Sequence, residues 1–124
     1  MTILVGVDGS KYAEAALEFA AEEASLRAAR LLIVFAWEPH EGFSGEAEIT
    51  TQWAVARVAE LQPEVACEGK AIGGHPAAVL LKEAEDANMI VVGSRGRGGF
   101  TSLLLGSVSQ QVVHQATCPV VVVR

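Results

Sequence analysis

Basic charge is scarce in this chain. Nine Lys and Arg stand against 15 Asp and Glu, a formal net charge of −6, and the pI is near 5.0. Such a balance argues against a nucleic-acid surface, so no nucleic acid is expected as a partner. No charged leader followed by a long apolar run opens the chain. No apolar run approaches the roughly 20 residues of a membrane span, so no membrane partner is expected and a cytoplasmic location is. Cysteine is nearly absent: Cys67 and Cys118 show neither Cys-x-x-Cys spacing nor a metal-ligand cluster. They read as reduced structural thiols, not a disulfide scaffold or a zinc site. Internal repeats and linkers are also missing. The three histidines lack a legible Ser-His-Asp or Cys-His partnership: His40 and His75 sit in turns and His114 late in a helix. No catalytic residue is assigned, and a nucleophilic hydrolase is not expected.

What is present is apolar, at 51% of residues and a mean hydropathy of +0.34. A chain of 124 residues suggests one domain, 1–124, able to bury a substantial core. Thr2 to Asp8 reads as a buried strand and Asp8-Gly9-Ser10 as a turn, with Ser10 as N-cap. Lys11 to Arg30 places Ala13, Ala16, Leu17, Ala20 and Ala24 at helical spacing, with Glu14, Glu18, Glu22 and Glu23 largely opposite. Leu31 to Trp37 is a second buried strand. A polar loop follows, then a weaker helix over Ala47 to Leu61 with Ala54, Val55, Val58 and Leu61 as its stripe. Val65 to Ile72 reads as an edge strand because it carries Glu68 and Lys70. Pro76 to Ala87 is a third helix, with Val79, Leu80 and Ala84 inward. Strands alternate with helices throughout, which predicts an α/β fold with a parallel sheet and right-handed crossovers.

The stretch around which the chain is organised runs from Met89. Met89-Ile90-Val91-Val92 is a buried strand ending at Gly93, followed by a loop with Arg95, Gly96, Arg97, Gly98 and Gly99. A helical pattern begins near Gly106-Ser107, where Ser107 can cap it; the fourth helix as a whole is read over Leu103 to Gln115. Thr117-Cys118-Pro119 leads to a last strand, Val120 to Val123. Strand, glycine-rich loop and helix N-terminus together can hold phosphate. Glycines admit a close backbone approach, and the helix start offers unpaired N–H donors and a favourable dipole. The spacing Gly93-x2-Gly96-x9-Gly106-Ser107 is neither a Rossmann fingerprint nor a Walker A loop. The same glycines would equally serve a plain flexible loop. Arg95 and Arg97 are local positive charge on an acidic protein, which suits a small anion better than a polymer.

This spacing, with Val-Gly-Ser-Arg-Gly before it and Cys-Pro-Val-Val-Val-Val after it, resembles the universal stress protein family, in its adenine-nucleotide-binding branch. Ile3-Leu4-Val5-Gly6-Val7-Asp8-Gly9-Ser10 is similar to that family's first strand and turn. The resemblance covers nearly the whole chain and is weak from about Glu38 to Val65. It implies a five-stranded parallel sheet in the order 3-2-1-4-5 with helices on both faces, the adenine nucleotide alpha hydrolase-like fold. It implies ATP as ligand, with Mg²⁺ a candidate companion, and a stress-responsive or regulatory role with at most weak hydrolysis. Asp8 would meet the ribose hydroxyls or a phosphate-bound Mg²⁺, and the backbone of Ala36 the adenine edge. Val7 and Val92 would wall the pocket, and Trp37, next to Ala36, is expected near it. Gly93, Gly96, Gly106, Ser107 and Val108 match ribose and phosphate contacts, with Arg95 and Arg97 candidates for phosphate. A homodimer through the C-terminal strand is implied as well. A slow ATPase, an AMP or cyclic AMP module and a nucleotide-independent interaction protein stay open. The segment Glu38–Gln62 is short, which is expected to leave the adenine more open. His75 stands where relatives often carry an acid, with no consequence evident from the sequence.

Overall fold

The structure, a computed structural model, describes residues 1–39, 44–96 and 105–124. Among these residues nine elements alternate: β1 (Thr2–Val7), α1 (Lys11–Arg27), β2 (Arg30–Trp37), α2 (Ser44–Leu61), β3 (Cys67–Gly73), α3 (Pro76–Glu83), β4 (Met89–Gly93), α4 (Ser107–Gln115) and β5 (Val120–Val123). The strands form one sheet in the order β3-β2-β1-β4-β5, and every pairing is parallel. Order and direction are those the resemblance implied.

Strand periodicity builds two cores. Ile3, Val5 and Val7 of β1 pack with Ala16, Leu17 and Ala20 of α1 and Ala54 and Val58 of α2. Leu4, Val34, Ile90 and Val92 face the other way, onto Ala77 and Leu80 of α3 and Val112 of α4. A strand buried on both faces needs apolar side chains at every position, which is why β1, β2 and β4 read as unbroken apolar runs. β3 lies at one edge, as its charges suggested; Arg30 meets Glu68 at 3.8 Å and Lys70 meets Glu83 at 3.1 Å. No helix among the described residues is long and apolar enough to cross a membrane.

Element ends differ from the sequence expectation, each for a tertiary reason. α1 stops at Arg27 and not Arg30. Ala28 adopts the left-handed conformation at φ 53°, and Ala29 N–H bonds back to Ala24 O at 2.8 Å. Left-handed alanine costs about 1–2 kcal/mol. The chain accepts that cost to start β2 at Arg30, whose N–H reaches Met1 O at 2.9 Å. Val65 belongs to a turn, bonding Gln62 O at 3.0 Å, so β3 starts at Cys67. α3 ends at Glu83, because Ala87 folds back onto Ala84 O at 3.0 Å and Asn88 N–H reaches Thr2 O at 2.8 Å. α2 begins at Ser44, earlier than Ala47. Ser107 is not the cap of α4. The N-cap is Gly106 (φ −69°, ψ 165°), held extended by its N–H bond to Ser94 O at 2.6 Å. Leu103 and Leu104 lie outside the described residues.

Candidate functional site

β1 and β4 are neighbours, and the chain leaves them toward opposite faces of the sheet, into α1 and α4. A crevice at their carboxyl ends is the place where such sheets bind ligands. The Asp8 turn and the glycine loop both open there.

The Asp8 turn is built by Asp8 itself. Its Oδ1 accepts from Ser10 N–H at 2.9 Å, while Ser10 Oγ caps α1 by accepting from Ala13 N–H at 3.2 Å. Gly9 sits at φ +84°, a conformation that favours glycine. The second carboxylate oxygen faces the other loop: a Cβ at Gly96 would stand 2.6 Å from Asp8 Oδ2. Asp8 therefore serves the turn with one oxygen and turns the other to the glycine loop.

That loop is pinned from three sides. A Cβ at Gly93 would lie 2.9 Å from the carbonyl carbon of Tyr12, so β4 ends directly against the first turn of α1. Ser94, buried, donates its N–H to Val123 O at 2.7 Å and accepts from Gly106 N–H at 2.6 Å. The buried Ser109 hydroxyl donates to Gly93 O at 2.5 Å. Gly106, as N-cap, places no side chain over the start of α4, and the amides of Ser107, Val108 and Ser109 precede the first intrahelical donor, Gln110 N–H, which reaches Gly106 O at 3.0 Å. An anion at this position meets N–H donors and the positive end of the helix dipole.

A cavity of about 260 Å³ adjoins the Asp8 turn. Its wall runs from Val7, Gly9 and Ser10 along Ala13 and Leu17 to Ile49, Thr50 and Trp53 of α2. Ile49 and Trp53 are 69% and 47% exposed, large apolar groups on the outer side of α2. The opposite stripe of that helix, Ala47, Thr51, Ala54 and Val58, is the buried one.

The structure thus brings Val7, Asp8, Gly93, Arg95, Gly96, Gly106, Ser107 and Val108 to one end of the sheet. Val92 packs with α3 and α4, on the face opposite Val7, and does not share its wall. Ala36 pairs with Ile72 near the end of β2 and stands outside the cavity wall. Trp37 packs over Gly73 and Pro39, so Trp53 is the tryptophan of the cavity. Arg97 lies outside the described residues. Sequence reasoning missed Ser94, Ser109, Tyr12 and the Ile49–Trp53 pair. For the last the signal existed: two large apolar residues at i, i+4, off the buried stripe of their own helix.

His75 does have a consequence. It links the end of β2 to α4, with Nδ1 2.9 Å from Glu38 Oε1 and Nε2 3.0 Å from Gln111 Oε1. The bond to Gln111 first, then that to Glu38, raises its pKa above the ordinary 6.5. A raised folded value means that the link stabilises fully below the unfolded pKa and fades as pH rises through the folded one. The group is exposed, so the effect is small. NMR titration should show the His75 imidazole titrating above the ordinary histidine value, and Glu38→Gln should lower its midpoint. Unaltered titration in Glu38→Gln would contradict the link.

The profile of the Universal stress protein family matches residues 1–124. A universal stress protein of Mycobacterium tuberculosis is 40% identical over 132 residues, covering 98% of this chain and 45% of the relative. One from Thermus aquaticus is 40% identical over 136 residues and covers 99% and 98%. The chain spans about half the length of the mycobacterial relatives. Among solved structures, the universal stress protein of Archaeoglobus fulgidus in complex with dAMP superposes with a TM-score of 0.82 at 29% identity, covering 100% of this chain and 98% of that one. A universal stress protein in complex with cAMP gives 0.84 at 27%, covering 100% and 96%.

Proposed function

The chain belongs to the universal stress protein family, and we propose that it is a cytoplasmic, ATP-binding regulatory module of that family. One observation carries the reading. Asp8 and the loop Gly93–Gly96 close on each other beside an α4 N-terminus that Gly106 leaves uncovered. The phosphates sit at that N-terminus, the ribose hydroxyls donate to Asp8, and the base enters the cavity beside Trp53. The cavity is smaller than the roughly 300–1,000 Å³ of sites that enclose a whole drug-sized ligand, so it takes the base and leaves sugar and phosphates at the loops. The alternative role of Asp8 is to hold Mg²⁺ in place of the ribose; the ion's remaining ligands would be phosphate oxygens and water, an ordinary arrangement for it. The free thiols Cys67 and Cys118 fit a reducing compartment. Asp8 serves this site as a ligand-binding carboxylate, and the role is to hold ATP, with at most slow hydrolysis.

Calorimetric titration tests this: ATP should bind well below millimolar. In a Trp37→Phe variant, Trp53 emission should change as the base docks. Absence of heat with ATP, ADP, AMP and cAMP alike would sink the reading. An unchanged Trp53 signal, with binding shown by heat, would remove the base from the cavity. A second reading, an AMP-type ligand, draws on the relatives solved with dAMP and cAMP; a tighter Kd for AMP than for ATP would select it.

The module is a homodimer through β5. Among the described residues that strand pairs with β4 alone and stands at the edge of the sheet. All four of its valines are half-buried, Val121 and Val123 toward α1 and Val120 and Val122 toward α4. An open apolar edge invites pairing, and two copies related by a two-fold axis cover it isologously. Sedimentation at micromolar concentration should give twice the chain mass. At least one of Val121→Lys and Val122→Lys should sediment as a folded monomer. A monomeric wild type would refute the dimer.

A further inference from the structure

We infer that Lys11 and Arg124, with Arg95, form a cationic rim that reads the phosphate tail, so that the site prefers nucleoside triphosphate to monophosphate. This rests on the nucleotide reading above and assigns two residues that it does not use.

The observation is where the unpaired cations lie. The chain has nine Lys and Arg. Five of them meet carboxylates: Arg27 with Glu23, Arg30 with Glu68, Arg57 with Glu18 and Glu60, Lys70 with Glu83, and Lys82 with Glu85. Among the described residues, Lys11, Arg95 and Arg124 make no ion pair, although carboxylates outnumber cations in the chain. All three border the end of β4. Arg95 follows Ser94 in the loop, and its Cα lies 3.3 Å from where a Gly106 Cβ would stand. Lys11 opens α1 and precedes Tyr12, whose backbone abuts Gly93; its ammonium lies 5.3 Å from the Tyr12 ring centroid, a contact that leaves its hydrogen-bond donors free for an anion. Arg124 follows Val123, which is in register with Gly93 and accepts from Ser94 N–H. Three elements, α1, the β4 loop and β5, thus each bring one cation that makes no ion pair among the described residues to the same end of the sheet.

A permanent carboxylate at these side chains would compete with phosphate. Leaving them unpaired keeps three cations available where the tail emerges on an otherwise acidic protein. The innermost phosphate is served by backbone N–H groups. The outer ones, bearing most of the charge of a triphosphate, reach beyond the α4 N-terminus toward the rim. Exposed charge-assisted contacts are modest and salt-sensitive, so each cation should act as a graded contributor.

Calorimetry with AMP, ADP and ATP on the full chain tests this, using Lys11→Gln, Arg124→Gln and the double variant. Both residues are exposed, and thermal melts should match wild type. Wild-type affinity should rise from AMP to ADP to ATP. Each single variant should lose about three- to tenfold for ATP and less than about twofold for AMP, and the double variant should flatten the series. Raising salt should weaken ATP more steeply in wild type than in the double variant. Equal losses for AMP and ATP, or none for either, overturn the rim while leaving nucleotide binding in place. No binding of any of the three by wild type overturns the nucleotide reading, and the rim with it.

Discussion

Gly106→Val should weaken ATP binding by about 100-fold or more while the protein still folds. Glycine is not there for its backbone freedom, since φ −69° and ψ 165° suit any residue. It is there for space. A Cβ would meet Arg95 Cα at 3.3 Å and both Gly96 N and Ser94 O at 3.6 Å, so it points into the loop that would cradle phosphate. One methyl group is absorbed by a shift of a few tenths of an ångström, and Gly106→Ala should weaken binding only several-fold. The two γ-carbons of valine need more room. They push the loop away from the start of α4 and lengthen the Gly106–Ser94 bond that closes it. Losing two charge-assisted hydrogen bonds to phosphate, each about 1.5–3 kcal/mol, accounts for a hundredfold or more. The fold suffers little because the loop lies at the end of the sheet and Gly106 is only half-buried. Calorimetry beside a thermal melt checks both halves. Near wild-type affinity in a folded Gly106→Val protein would show that the loop never touches ligand.

How much of this was legible beforehand depends on whether the cause was local. β1, β2, β4 and β5 are apolar runs bounded by Gly, Pro or polar turns, and each was placed to within a residue or two. The Ser10 cap was legible because its acceptor is three residues away. Strand order came from resemblance, since periodicity says nothing of which strands pair. The missed features depend on distant partners. Ala28 ends α1 without the glycine that ordinarily marks a left-handed cap, because Met1 and Ala24 capture the next two amides. Ser107 looked like a cap because serine caps well; Ser94, thirteen residues earlier, held Gly106 in that role instead. His75 joins Glu38 and Gln111 across separations of 37 and 36 residues. The cavity arises only where α2 packs on α1, and only then do Ile49 and Trp53 stand beside the Asp8 turn.

Gly93→Val should cost the fold itself, in contrast to Gly106→Val. Gly93 is buried at the end of β4, a strand with β1 on one side and β5 on the other. A Cβ there would lie 2.9 Å from the carbonyl carbon, the oxygen and the Cβ of Tyr12. Two of those atoms are backbone in the first turn of α1 and cannot swing aside as a side-chain tip can. Nor can Gly93 retreat, because its carbonyl takes the Ser109 hydroxyl at 2.5 Å and the next amide is bonded to Val123 O at 2.7 Å. Relief requires α1 to lift from the sheet, and α1 contributes Ala13, Ala16, Leu17 and Ala20 to the larger core. Overpacking of this kind costs about 1–3 kcal/mol for a modest insertion, so Gly93→Ala should lower Tm by roughly 4–12 °C, at about 4 °C per kcal/mol for this chain length. Valine should exceed that range and leave little folded protein at 37 °C. Because Tyr12 follows directly on the Asp8 turn, whatever Gly93→Ala protein remains folded should also bind ATP poorly. Urea titration of Gly93→Ala should show a lower midpoint with an unchanged m-value. An unshifted midpoint would mean that α1 yields freely at its first turn, and that the close contact between β4 and Tyr12 does not position the two loops.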